Sequence, residues 1–284
     1  MLKILFITFY FKNKNIEIII KSLSDKVELY IIREFNDFKK MKDINFDYIL
    51  TQLYWKINWA SFIDENKYDE IPDYIKYKKI IFHESNPISS LVDESLIYRL
   101  SIDNLQISKQ KNKVNKFIND KKKKYGVEIK PYKGYRKDLG ILILLQNYYN
   151  HFINMKFEEY ENFIQNIITE IRNYSKNKII VRYKIIKAVD DRSKILHIND
   201  PINNMEITGI NPLQEDIDKS YVAIAHSTNA VLKVLFEGVH LISLSNYCLC
   251  DNYADHEIKD ILNPKQYNRM ELYDRILSCT WSYK

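Results

Sequence analysis

Residues Tyr221–Leu244, YVAIAHSTNAVLKVLFEGVHLISL, decide the fold. The apolar run YVAIAH leads into three small polar residues, Ser227, Thr228 and Asn229. NAVLKVLFEG then carries apolar residues at helical spacing and stops at Gly238, and VHLISL opens a second apolar run. Strands that read as unbroken apolar runs are buried on both faces, as in a parallel sheet, so the stretch predicts a strand–helix–strand unit. The polar residues at the turn can cap the helix, or they can also hold a ligand.

The pattern extends outward. LGILILLQ (Leu139–Gln146) predicts a buried strand, and FEEYENFIQNIITEIRNYSKN an amphipathic helix with Phe157, Tyr160, Phe163, Ile164, Ile167, Ile168 and Ile171 inward. KIIVRY (Lys178–Tyr183) and KILHI (Lys194–Ile198) predict further strands, and NPLQEDIDKS a helix. In the first half, KILFITFYF (Lys3–Phe11), VELYII (Val27–Ile32), FDYIL (Phe46–Leu50) and KIIF (Lys79–Phe82) read as strands. Ile16, Ile19, Ile20 and Leu23 have the spacing of a helix face. The fold class is therefore α/β, with two Rossmann-like domains facing a central cleft. A lysine-dense segment, SKQKNKVNKFINDKKKKYGVEIK (Ser108–Lys130), sits between the halves and reads as a solvated linker or as a nucleic-acid patch. The expected division is an N-terminal domain at 1–130 and a C-terminal domain at 131–284.

Composition narrows the function classes. The chain has 284 residues, 46% hydrophobic and 28% charged, with net charge +6 and only 5 glycines. That is globular, and its apolar runs fall short of the roughly 18 residues of a membrane span. A net charge of +6 permits a polyanionic partner without demanding one. The lysine content goes with abundant Ile, Asn and Tyr, the signature of an AT-rich coding sequence, and is discounted as a functional signal. Cys248, Cys250 and Cys279 are too few and too uneven for a disulfide framework, which predicts a reducing, cytoplasmic setting. Cys248 and Cys250 lie near Asp251, Asp255 and His256 but lack the second pair of soft ligands of a tetrahedral metal site. The glycine patterns of dinucleotide binding, of P-loops and of the hydrolase elbow are missing from the sequence.

What remains is polar residues at the C-terminal ends of second-half strands: Gln146, Arg182 with Lys184, and His226 to Asn229. Strand ends of a doubly wound sheet converge on one rim. There the two cations could neutralise a diphosphate, and the helix start after Ser227 could present free N–H groups. Each also has a structural reading, as an N-cap, an ion pair or a strand end.

From about Ile80 onward the chain resembles two-domain GT-B glycosyltransferases of the bacteriophage and capsule-polysaccharide kind. The resemblance rests on YGVEIKPYKGYRKDLGILILLQ, IRNYSKNKIIVRYK, NPLQEDIDKSYVAIAHSTNAVLKVLFEGVHLISL and the ending NRMELYDRILSCTWSY. It implies transfer of a sugar from a nucleotide-diphosphate donor, most simply a UDP-sugar, to an acceptor hydroxyl. The implied donor-binding residues are Gln146, Arg182, Lys184, His226, Ser227, Thr228, Asn229 and Glu237. Where the family shows Arg-Pro-His-Pro, this chain has Arg182-Tyr183-Lys184-Ile185, and Lys233 and His240 stand where relatives carry a carboxylate and a proline. An inverting reaction needs a general base, for which Glu84, with His83 behind it, follows the strand ending at Phe82; the alternative is a solvated turn. No Asp-x-Asp pair indicates an obligatory metal, and Asp190-Asp191 reads as a loop. The expected acceptor is a hydroxymethylated pyrimidine in phage DNA, with Tyr54, Trp55 and Trp59 either as stacking residues or as an aromatic core cluster. The alternatives are a surface or capsular polysaccharide as acceptor, or a catalytically silent nucleotide- or nucleic-acid-binding shell.

Overall fold

The computed structural model describes residues 1–7, 21, 25–32, 37–41, 44–51, 79–85, 97–102, 118–146, 155–183, 197–246, 248–278 and 280–282. The elements are β1 (Lys3–Ile7), β2 (Glu28–Ile32), α1 (Asp37–Lys40), β3 (Tyr48–Thr51), β4 (Lys79–Ser85), β5 (Ile97–Ile102) and α2 (Ile118–Tyr125). They continue with β6 (Gly140–Leu144), α3 (Phe157–Tyr174), β7 (Ile179–Arg182), β8 (Met205–Thr208), α4 (Leu213–Asp218) and β9 (Ser220–Ala225). The last are α5 (Val231–Phe236), β10 (His240–Ser243), α6 (Arg269–Ser278) and β11 (Thr280–Ser282).

Among the described residues the strands form two sheets, of order β11-β5-β4-β3-β1-β2 and β10-β9-β6-β7-β8. The α/β expectation holds. The first sheet is parallel from β2 through β1 and β3 to β4, but β5 and β11 join it antiparallel. β11 returns the end of the chain to the first sheet, while α6 just before it packs on the second.

The second sheet is parallel throughout, with β6 between β7 and β9. Every residue of β6 is buried because both sheet faces are covered. Ile141, Ile143 and Leu145 meet the Tyr160, Ile164, Ile168 and Ile171 stripe of α3. Leu142 and Leu144 face the opposite layer, built from α5 and α6. Gly140 admits β6 into this position: a Cβ there would meet the Lys178 carbonyl oxygen at 2.8 Å. Two differences from the sequence reading concern strands. His197 and Ile198, described residues of the expected KILHI strand, belong to no strand, and the sheet edge is instead the short, partly exposed MEIT of β8. In the first sheet, β4 runs on past Phe82 to Ser85.

Four helices of the second half end on a cation, one supplied by the helix itself and three from elsewhere in the chain. Arg172 in the last turn of α3 donates to the carbonyls of Ser175 (3.0 Å), Asn177 (2.7 Å) and Asn204 (3.1 Å). It also grips both carboxylate oxygens of buried Asp200, at 2.7 and 2.8 Å, and this holds the Asp200 carboxyl below its ordinary pKa. Lys133 donates to Ile217 at the end of α4, and Arg269 to Leu235 at the end of α5 (2.6 Å). Lys121 spans Leu277 (2.9 Å) and Thr280 (2.8 Å) at the end of α6. The last carbonyls of a helix have no partner within it and carry the negative end of its dipole, so a cation satisfies both needs. Lys121 and Lys122, the latter paired with Asp274, thus fasten the lysine-rich α2 to α6.

The exit of α5 is tighter still. Gly238 has φ +82°, and a Cβ there would lie 2.0 Å from the Pro131 carbonyl oxygen. The 130–133 backbone is bonded along the same turn, Lys130 N–H to Phe236 and Lys133 N–H to Gly238, each at 2.8 Å. Gly238→Ala therefore combines left-handed strain with a backbone clash and is expected to lose about 2–4 kcal/mol in urea unfolding. A loss below about 0.5 kcal/mol would contradict this packing.

Candidate functional site

In the second sheet the chain builds from β6 outward through β7 to β8, then crosses back to place β9 on the other side of β6. The strand order reverses between β6 and β9, and a crevice opens outside the carboxyl ends of strands that part in this way. Register brings Leu144 of β6 beside Ala225 of β9. The residues just beyond are Gln146 and His226–Asn229, which the sequence reading had selected from distant segments, and here they meet.

Gln146 spans the switch point, its Nε2 donating to the Ser227 carbonyl oxygen at 2.7 Å. Its own carbonyl accepts the hydroxyl of Tyr160 from α3. Beside this bridge lies a shallow recess, open to solvent and with enclosed room for about one water molecule, walled by Gln146, Tyr160, Phe163, Ile167, His226 and Leu244. The His226 ring stands edge-on to Phe163, centroids 6.2 Å apart, and its Nδ1 is 3.2 Å from the Ser227 hydroxyl oxygen. Burial pushes its pKa below the ordinary value, which makes it a neutral hydrogen-bonding ring near pH 7. The turn is capped by Thr228, whose hydroxyl oxygen accepts the Ala230 N–H at 3.2 Å. The backbone N–H groups of Ser227, Thr228 and Asn229 make no hydrogen bond among the described residues.

The other expected donor residues are placed differently. Arg182 does end β7, but its guanidinium is spent on Asp216 of α4, at 2.6 Å, and on the Asn211 carbonyl, at 2.9 Å. Asp216 is 1% exposed at its side chain and also accepts the Thr208 hydroxyl at 2.9 Å. This pair lies on the α4 side of the sheet, opposite α3 and the His226 recess, so Arg182 is no unpaired cation on the crevice. Glu237 is also displaced. It follows the last turn of α5, whose six residues span about 9 Å, so it sits at the other end of that helix from Asn229. There it binds Lys130 at 2.6 Å and Gln214 at 3.1 Å. His83 and Glu84 lie inside β4, paired with Leu100 and Arg99 of β5, rather than in a turn after the strand. Lys184, Asp190, Asp191, Tyr54, Trp55, Trp59 and Cys279 lie outside the described residues.

His240, where the family pattern has proline, has a structural use. It stacks on Tyr132 at 4.2 Å, Arg269 covers the same tyrosine ring, and its Nδ1 meets the Lys265 carbonyl oxygen at 3.1 Å. Cys248 and Cys250 are buried, and burial pushes the Cys248 thiol up to about 11, unsuited to act as a thiolate. Among the described residues no three His, Cys, Asp or Glu side chains gather as a metal site. Tyr160 and Phe163, expected only as inward residues of the helix, also wall the recess, because they stand on the α3 face nearest the ends of β6 and β9.

No family model and no curated protein matches the chain. Among solved structures, it is similar to the beta Kdo 2,4 transferase of Thermosulfurimonas dismutans KpsC, with TM-score 0.48 and 7% identity over 96% of this chain and 97% of that one. The beta Kdo 2,7 transferase of the same KpsC gives TM-score 0.46 and 10% identity, over 96% and 98%. A UDP-GlcNAc 2-epimerase from Neisseria meningitidis, bound to UDP-GlcNAc, gives 0.33 and 10%, over 98% and 94%. At these identities and scores the likenesses assign no activity to this chain.

Arg182→Ala is expected to reveal a structural residue. Stripping the cation from buried Asp216 should lower stability by about 3 kcal/mol, and adding Asp216→Asn should restore most of it. Unfolding of the single and double variants measures this, and an Arg182→Ala protein of unchanged stability would contradict the pairing.

Proposed function

We propose that the chain is a nucleotide-sugar-dependent glycosyltransferase whose donor lies in the crevice between the ends of β6 and β9. The observation that supports this best is the meeting of Gln146, His226 and the Ser227–Asn229 turn at the switch point, beside an aromatic-walled recess. The planar end of the donor lies across the mouth of the recess, with His226 offering a neutral hydrogen-bonding edge. The N–H groups of Ser227, Thr228 and Asn229 face the diphosphate, whose growing negative charge must be stabilised as the sugar leaves. Residues 131–284 form the donor side and 1–130 the acceptor side, a GT-B arrangement, with Glu84 as base and His83 behind it. Lys184 and a UDP-sugar complete the donor reading.

Between the two acceptors, one observation favours a glycan over hydroxymethylated DNA. Lys121, Lys122 and Lys130, from the segment expected to follow a phosphate backbone, are engaged in a helix end and ion pairs. DNA binding depends on cations free to replace counterions.

The test is a panel of uridine, thymidine, guanosine and cytidine nucleotide sugars, read first by thermal stabilisation. The proposal expects at least one donor, at about 100 times its Kd, to raise Tm by about 5 °C. That donor should then be consumed in transfer to oligosaccharides. Transfer to hydroxymethylated DNA alone would restore the DNA reading. Stabilisation by no nucleotide would leave a silent shell.

A further inference from the structure

We infer that Gln146 is a positioning residue, acting through the Ser227–Thr228 peptide rather than by touching the donor. The inference rests on the donor site proposed above. Its basis is the direction of one peptide group. The described peptides are all trans, and across a trans peptide the carbonyl and the next N–H point in opposite directions. Gln146 Nε2 holds the Ser227 carbonyl at 2.7 Å, so the Thr228 N–H points away from the Gln146 amide.

That N–H makes no hydrogen bond among the described residues, whereas the Ala230 N–H two residues on is already taken by the Thr228 hydroxyl. Gln146 is itself fixed from behind, because its carbonyl accepts the hydroxyl of Tyr160, which is 1% exposed. Two elements thus lock one amide, and that amide sets the turn. Without it, the Ser227–Thr228 peptide is free to rotate, and a donor must pay the ordering entropy that the fold now supplies.

The variants are Gln146→Met, which keeps length and removes the amide, and Gln146→Glu, which puts a carboxylate against the Ser227 carbonyl. Hydrogen exchange of free protein comes first. Faster exchange confined to the peptide holding Ala230–Leu232 is expected in Gln146→Met, and unchanged exchange would overturn the inference. Binding of UDP comes second, with Kd expected to rise about 10-fold in Gln146→Met. In Gln146→Glu, whose carboxylate cannot donate and repels the Ser227 carbonyl oxygen, Kd at about pH 7.5 should rise at least as much as in Gln146→Met. Equal UDP affinity in wild type and Gln146→Met would overturn the positioning role. A wild type that binds no UDP would count against the donor reading, and the exchange result would still decide on Gln146.

Discussion

Everything in the second half depends on β6 being able to lie, buried on both faces, between β7 and β9. Gly140 lets it enter beside the Lys178 carbonyl, and apolar side chains on alternate sides seal it against α3 and against α5 and α6. Because β6 is both the first strand and the central one, the chain must build on one side and then cross to the other. The crevice is a by-product of that crossing. Its polar residues come from segments some 80 positions apart, Gln146 and Ser227, and the sheet rather than local sequence brings them into contact.

A parallel sheet of this kind directs its helix C-termini toward the edge opposite the crevice, and there the abundance of lysine takes on meaning. With 5 glycines in 284 residues, the chain has few left-handed helix caps to use. Lys121, Lys133, Arg172 and Arg269 satisfy the carbonyls instead. Net positive charge is consistent with a polyanion partner in principle, yet these cations already have internal work. One edge of the sheet is thus a stability edge, held by cations and by the Arg269–Tyr132–His240 stack. The other carries the candidate site.

The second half was readable where burial is two-sided. Unbroken runs such as LGILILLQ and YVAIAH leave no alternative to a parallel sheet, and the α3 stripe has only one apolar face. The short edge strand β8 was not, because MEIT is half exposed and its four-residue alternation is too short to stand out from a loop. β5 and β11 escaped because antiparallel pairing of Ile97–Ile102 with Thr280–Ser282 joins segments far apart in sequence. At the site, strand-end position was legible for Gln146 and His226–Asn229. The commitment of Arg182 to Asp216 was not, since the partner is 34 residues away on a helix face. Glu237 could have been placed correctly from the sequence: it stands at the end of its helix, and helix polarity assigns that end to the far edge.

The central claim is that ligand chemistry belongs to the crevice edge of the second sheet and stability to the opposite edge. Amide chemical-shift mapping during titration with a nucleotide that stabilises the protein tests it most directly. The account predicts that the largest changes fall at Gln146, Phe163 and His226–Ala230, with Lys130, Glu237, Gly238 and His240 unmoved. Shifts concentrated at Lys130–Lys133 and Glu237–His240, with the Ser227–Asn229 turn silent, would contradict it.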